Sequence, residues 1–172
     1  MEPRDEQGLT EREFLAAYRQ KRYPAPYLTA DVVLLSEGRD VLLIRRKNHP
    51  YLGCWALPGG FVNPDESALD AAVRELSEET GVAAPANALV EIGLFSAPGR
   101  DPRGWVVSDA FLCCVDRDVV RFSAGDDAAD AAWVPIGRDG DRLALPEGVR
   151  LAFDHADILK KAFIRYDSLR KE

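Results

Sequence analysis

The chain has 172 residues, 47% of them hydrophobic and 30% charged, with a net charge of −7. That length suits one domain with a real core, and the acidic balance argues against a broad nucleic-acid-facing surface. Three cysteines, two of them adjacent at Cys113 and Cys114, make neither a disulfide framework nor a zinc spacing, and no apolar run approaches the ~18 residues of a membrane span.

The polar, acidic start MEPRDEQGLTERE is unlike a signal peptide. With the odd cysteine count it predicts a reducing, cytoplasmic setting. Thr10-Glu11-Arg12-Glu13 is a T-x-x-E capping box opening a helix to about Arg22, with Phe14, Leu15 and Tyr18 on its apolar side. Pro24 and Pro26 end it. Residues 1–23 are thus expected as a tail and helix that cover one edge of the core or make a dimer contact, ahead of a single domain over 24–172. Thr29 to Leu35 and Val41 to Ile44 read as strands around a turn at Glu37–Asp40, with Asp31 the odd polar residue. Arg45, Arg46 and Lys47 close the second strand. His49 lacks a His or Cys partner nearby and is not assigned as a ligand. Trp55 to Leu57 is a short strand feeding the turn Pro58-Gly59-Gly60.

Leu57 to Val82 organises the chain. Turn residues are followed by a helix in which Ser67 and Asp70 form a capping box and Gly81 supplies the C-terminal residue with positive φ. Leu69, Ala72, Val73 and Leu76 make its apolar stripe. Glu75, Glu78 and Glu79 share another face. Glu75 and Glu79 repel one turn apart, and Glu78 and Glu79 stand at the dipole's negative end. A divalent cation reverses both penalties, and magnesium shares its shell readily between carboxylates and phosphates. Three carboxylates beside a glycine turn therefore point to a metal–phosphate site.

Beyond it, Leu89 to Phe95 and Val106 to Val115 are strands, separated by an arginine-bearing loop, Ser96 to Gly104. Phe122 to Asp130 and Gly137 to Gly148 read as loops flanking a short strand, Ala131 to Ile136. A last helix begins at about Asp154, its expected N-cap, with Leu159, Ala162, Phe163 and Tyr166 facing the core. His155 is assigned to that first turn rather than to catalysis. The order predicts an α/β fold, a mixed sheet between helices in an α/β/α sandwich.

Gly60, Glu66, Arg74, Glu75, Glu78, Glu79 and Gly81, with Leu76 and Val82, fill the pattern G-x5-E-x7-R-E-U-x-E-E-x-G-U, where U is bulky and apolar. Seven fixed letters match by chance on the order of once in 10^8 start positions. The stretch resembles the Nudix box without departure. The resemblance implies the Nudix α/β/α architecture and hydrolysis of a nucleoside diphosphate linked to another group, with Mg2+, or alternatively Mn2+, as cofactor. It implies metal binding by Glu75, Glu79, Glu78 and the Gly59 carbonyl, and catalytic roles for Glu75, Glu78 and Arg74, the arginine orienting a glutamate. Glu66 is implied to be mainly structural. A base from a late loop falls on Asp127 or Asp126.

The stretch Trp55 to Val62, the loop Arg100 to Gly104, Pro98 and the tail Leu151 to Ala156 resemble the ADP-ribose pyrophosphatase subgroup. That implies ADP-ribose as substrate, with AMP and ribose 5-phosphate as products. Arg45 and Arg46 are candidate cations for the diphosphate, Arg100 and Arg103 for a ribose phosphate, and Phe61 for stacking on adenine. The expected partner is a small nucleotide, with no nucleic acid and no membrane, in a homodimer. Two alternatives stay open: a Nudix hydrolase for a nucleotide sugar, dinucleotide or oxidised nucleoside triphosphate, and a ligand-sensing regulator of NAD metabolism. The complete box and the lack of a basic recognition segment weigh against the regulator.

Overall fold

Thr10 caps helix α1 (Glu11–Gln20) in the computed structural model, which describes residues 2–37, 39–118, 120–122, 128–139 and 142–171. The capping box is complete, with Glu13 returning a carboxylate to the Thr10 backbone. The expected cover over the core edge is not found. No α1 residue is buried apart from the cap itself, and Phe14, Leu15 and Tyr18 stand 43%, 40% and 49% exposed. Phe14, Tyr18 and Tyr23 contact one another in series instead.

The sheet is built around β1 (Tyr27–Ser36). Its long partner is β6 (Val106–Val115), which runs parallel to it over the full length. The edge strand β5 (Leu89–Phe95) lies antiparallel beyond β6. On the other side stand β2 (Asp40–Arg46), β3 (Trp55–Ala56) and β7 (Ala128–Pro135), all antiparallel to their neighbours. Helix α2 (Ala68–Thr80) covers one face, packing Ala71, Ala72 and Leu76 against Val32, Leu34, Leu42 and Phe111. Helix α3 (His155–Leu169) covers the other, packing Ile158, Leu159, Ala162 and Phe163 against Val33, Leu35, Leu43 and Leu112. A strand covered on both faces needs no polar alternation. That is why Val32 to Leu35 is an unbroken apolar run with every residue buried. The expected α/β/α sandwich with a mixed sheet is the observed fold.

Three segments depart from expectation. Gly59–Phe61 is a strand, β4, paired antiparallel with Thr29–Asp31 of β1, not a free turn. Residues 128–130, expected in a loop, already pair with β2. Part of the expected loop after Ile136 is a hairpin, β8 (Gly137–Asp139) with β9 (Arg142–Ala144). The first two depend on partners distant in sequence, so local composition carries no signal for them, whereas β8 and β9 pair within one short hairpin.

The site follows from a change of edge. The chain leaves β2 at β3 and reaches β1 at β4, so Leu57 and Pro58 bridge the two strands. A cleft opens there, between Asp31 of β1, Ile44 and Arg46 of β2 and the Gly59–Phe61 strand.

Candidate active site

The Ser67 cap and Gly81, in the left-handed region at φ 71°, hold α2 to the length expected. Its acidic face then meets β4. Glu79 Oε2 accepts the Gly59 N–H at 2.9 Å. Burial, with Glu75 and Asp31 adding repulsion, pushes the Glu79 carboxyl up to about 8 despite that hydrogen bond. Glu75 is raised as well by burial, although Arg74 pulls it down.

The two glycines are required by close approach. A Cβ on Gly60 would stand 2.4 Å from Glu75 Oε1, and one on Gly59 would stand 2.6 Å from Asp31 Oδ1. Carboxylates are thus packed directly on the α-carbons of the β4 backbone.

Arg74 is the clasp. It forks onto Glu66 (Nη2 to Oε1 2.6 Å, Nε to Oε2 3.1 Å) and donates to Glu75 Oε1 at 2.6 Å, Glu78 Oε2 at 3.1 Å and the Phe61 carbonyl at 3.0 Å. Glu66 also accepts from Asn63 and is held at about 2, chiefly by Arg74. This fits a structural task for Glu66. Glu78 is the outermost of the acids, its side chain 58% exposed.

The side chains expected at the substrate divide into two sets. Arg46, Phe61 and Arg103 line the cleft on both sides of Gly59 and Gly60. Arg46 donates to the Pro50 carbonyl, and its guanidinium lies 4.9 Å from the Phe153 ring. Arg103 lies 5.0 Å from the Phe61 ring and 5.4 Å from Phe153, and is paired with Asp101. Arg45 is exposed, donates to the Gly53 carbonyl and does not line the cleft. Alternation along β2 explains it, since neighbouring residues point to opposite faces. Arg100 is buried, and its fork is already taken by Asp154 at 2.6 and 2.8 Å. It lines the cleft as well, but its side chain is 4% exposed against 41% for Arg103. The same bond explains why Asp154 makes no side-chain cap on α3. Asp126 and Asp127 lie outside the described residues.

Sequence reasoning missed Asp31, His155 and Phe153. Asp31 is buried in the cleft floor and accepts a short hydrogen bond from Ser108. His155 is buried, accepts the Leu57 N–H on Nδ1 at 2.9 Å and turns Nε2 toward Asp31 at 3.7 Å. Ser108, Asp31 and His155 are not a nucleophile triad. Asp31 stands between the other two, and the second nitrogen of His155 is occupied by backbone. Phe153, at a φ of 49°, lines the cleft. The sequence signals available were a charged residue inside an apolar strand and the FDH cluster entering the last helix.

The NUDIX domain profile matches residues 26–142. This chain belongs to the Nudix family. It is similar to an ADP-ribose pyrophosphatase of Methanocaldococcus jannaschii, 40% identical over 148 residues that span 85% of this chain and 77% of the relative. It is also similar to the ADPR responsive transcriptional repressor NtrR of Acinetobacter baylyi, 34% identical over 92% of this Nudix chain and 62% of the repressor. Among solved structures, the NUDIX domain of Shewanella oneidensis NrtR complexed with ADP ribose matches with a TM-score of 0.75 and 32% identity, over 92% of this chain and 99% of that one. A bifunctional NMN adenylyltransferase/ADP ribose pyrophosphatase from Francisella tularensis, complexed with AMP and Mn ion, matches with a TM-score of 0.72 and 28% identity. This chain covers 45% of it. The Nudix chain is accordingly a pyrophosphohydrolase of that family.

Nudix hydrolases generally use divalent metals, and the donor set here suits a hard cation. Glu75 and Glu79 carry oxygen donors whose charge is disfavoured by burial, against a backbone with no Cβ to fill the space. Among the described residues, no three His, Cys, Asp or Glu side chains already converge as a ligand cluster. Arg74 stands between Glu75 and Glu78.

Proposed function

We propose that this Nudix pyrophosphohydrolase cleaves the P–O–P bridge of ADP-ribose to AMP and ribose 5-phosphate, with Mg2+ or Mn2+ bound by Glu75, Glu79, Glu78 and the Gly59 carbonyl. The observation that carries the reading is the half-buried Glu79 carboxylate on the Gly59 N–H, at the junction of a cleft whose other walls are Arg46, Arg103 and Phe61. The M. jannaschii and F. tularensis relatives support the substrate and the ion.

A divalent ion in such a site lowers the pKa of bound water and polarises the phosphorus. The chain's own residues do the rest. Arg74 fixes the rotamers of Glu75 and Glu78 and ties both to Glu66, so the carboxylates are oriented before substrate arrives. Arg46 and Arg103 set positive charge against the diphosphate. Phe61, 43% exposed with its ring beside Arg103, offers a face to the base. Asp127 or Asp126 is the proposed proton acceptor.

Residues 24–172 are proposed as the Nudix domain. The exposed Phe14, Leu15 and Tyr18 face of α1 is proposed as the contact of a homodimer, which sedimentation velocity tests.

The deciding experiment is phosphatase-coupled hydrolysis of ADP-ribose beside NADH, nucleotide sugars and oxidised dGTP, with and without metal. Preferred, metal-dependent turnover of ADP-ribose is expected, and preference for another of these would reassign the substrate. The A. baylyi relative supports a second reading, ADP-ribose sensing. Negligible turnover with tight ADP-ribose binding and a DNA mobility shift would favour it.

A further inference from the structure

Four successive residues ahead of and entering α3 reach the cleft or the strand that leads into it. Ala152 donates to the Trp55 carbonyl, Phe153 lies against Arg46 and Arg103, Asp154 forks Arg100, and His155 accepts from Leu57. Of these contacts, the one made by His155 bears most directly on the backbone at the reacting centre.

The backbone from Leu57 to Gly59 is held at three points. The Leu57 N–H donates to His155 Nδ1 at 2.9 Å, the Pro58 carbonyl accepts from Val32 at 2.8 Å, and the Gly59 N–H donates to Glu79 at 2.9 Å. The second and third are ordinary backbone and carboxylate partners. The first ends on a buried imidazole, and it fixes the ring's tautomer. An Nδ1 that accepts a proton has none of its own, so in the neutral ring the proton sits on Nε2. Nε2 faces Asp31, which is anchored from the other side by Ser108. Asp31 in turn lies against the α-carbon of Gly59, its register partner across the β1–β4 ladder. One ring therefore borders Pro58–Gly59 on both flanks, through the Leu57 amide and through Asp31.

We infer that His155 is a positioning residue, a neutral Nε2-protonated imidazole that sets the Gly59 carbonyl and the Glu79 contact through the Leu57 amide and the Asp31 carboxylate. Its consequence for turnover rests on the hydrolase reading above. Its geometry can be tested without substrate. The ring lies 5.3 Å from Phe153, the residue against Arg46 and Arg103, but its polar contacts run to Leu57 and Asp31, so their loss acts on the reacting end and lowers kcat more than it raises KM.

Asparagine and glutamine separate the two contacts. The Asn carbonyl oxygen reaches the place of Nδ1, and the Gln amide reaches that of Nε2. His155→Asn, which keeps the Leu57 contact, and His155→Gln, which keeps the Asp31 contact, are each expected to lose about 3- to 10-fold in kcat, whereas His155→Leu, which keeps neither, loses about 30-fold or more, with kcat falling more than KM rises in each. A core-filling role predicts the reverse order, with Leu the best tolerated.

Two-bond 1H–15N correlation spectra of the wild-type protein give an independent reading. A bare Nδ1 and a protonated Nε2 near neutral pH are expected. A protonated Nδ1 overturns the inference whatever the substrate proves to be. So does a fall in kcat of the same size in the Asn and Leu variants.

Discussion

Replacing Glu79 with glutamine separates charge from shape at the centre of the site. The amide oxygen can still accept the Gly59 N–H that Glu79 now takes at 2.9 Å, so the fold is expected to survive. What is lost is a half-buried negative charge. The Glu79 carboxyl is raised from its ordinary 4.5 to about 8, so the folded state binds its proton more tightly than the unfolded chain does. Its stabilising contribution is complete below about pH 4.5. It is lost progressively as pH rises to about 8, where the folded protein must carry an anion in a partly desolvated place. At about 1.4 kcal/mol per pH unit the full excursion is of order 5 kcal/mol, and water entering the cleft reduces it to about 2–3 kcal/mol. For a chain of this size that is roughly 5–10 °C in melting temperature. In metal-free buffer the gap in melting temperature, E79Q minus wild type, is expected to widen by that amount between pH 5 and pH 9. Adding magnesium at pH 8 should raise the wild-type melting temperature and leave E79Q unmoved, because the ion binds the ionised carboxyl. Turnover in E79Q should be nearly abolished. Calorimetry over pH, with and without metal, is the assay. A pH-independent gap, or wild-type activity in the variant, would refute both the burial argument and the site assignment.

The two glycines predict opposite failures. Gly59→Ala puts a Cβ 2.3 Å from the Ala30 carbonyl, which is backbone, and should cost about 2–4 kcal/mol in denaturant unfolding. Gly60→Ala meets the Glu75 carboxylate that Arg74 holds, a side chain and not backbone, so it should cost less stability than Gly59→Ala while turnover falls about 10-fold or more. Arg74→Ala frees Glu66, Glu75 and Glu78 together and should lower activity or metal affinity about 10–100-fold, read by a metal titration of rate. Arg103→Ala removes a cation beside Phe61 and Phe153 and should raise KM about 10-fold with kcat within about 3-fold.

How much of this was legible in one dimension depended on where each interaction lay along the chain. The α2 helix, both of its caps and the apolar stripe that docks it were all readable, because capping and amphipathicity act within a few residues. The acidic face was readable for the same reason. Position in the strand and the partner across space decided the arginines. Arg45 and Arg46 look equivalent as neighbours, yet strand alternation sends only one into the cleft. Arg100 and Arg103 look alike and both fork onto an aspartate, but Asp154, 54 residues on, holds Arg100 buried while Arg103 on Asp101 stays 41% exposed.

The sequence by itself determined a two-sided sheet, the helix that carries Glu75, Glu78 and Glu79, and the family those letters announce. Only the tertiary structure turned Gly59–Phe61 into a strand, packed the Glu79 carboxylate on its amide and brought His155 and Asp31 beneath it. The physical reason is that periodicity and caps are local properties of a chain. Desolvation and hydrogen-bond partnership across the sheet exist only once distant segments have closed on one another.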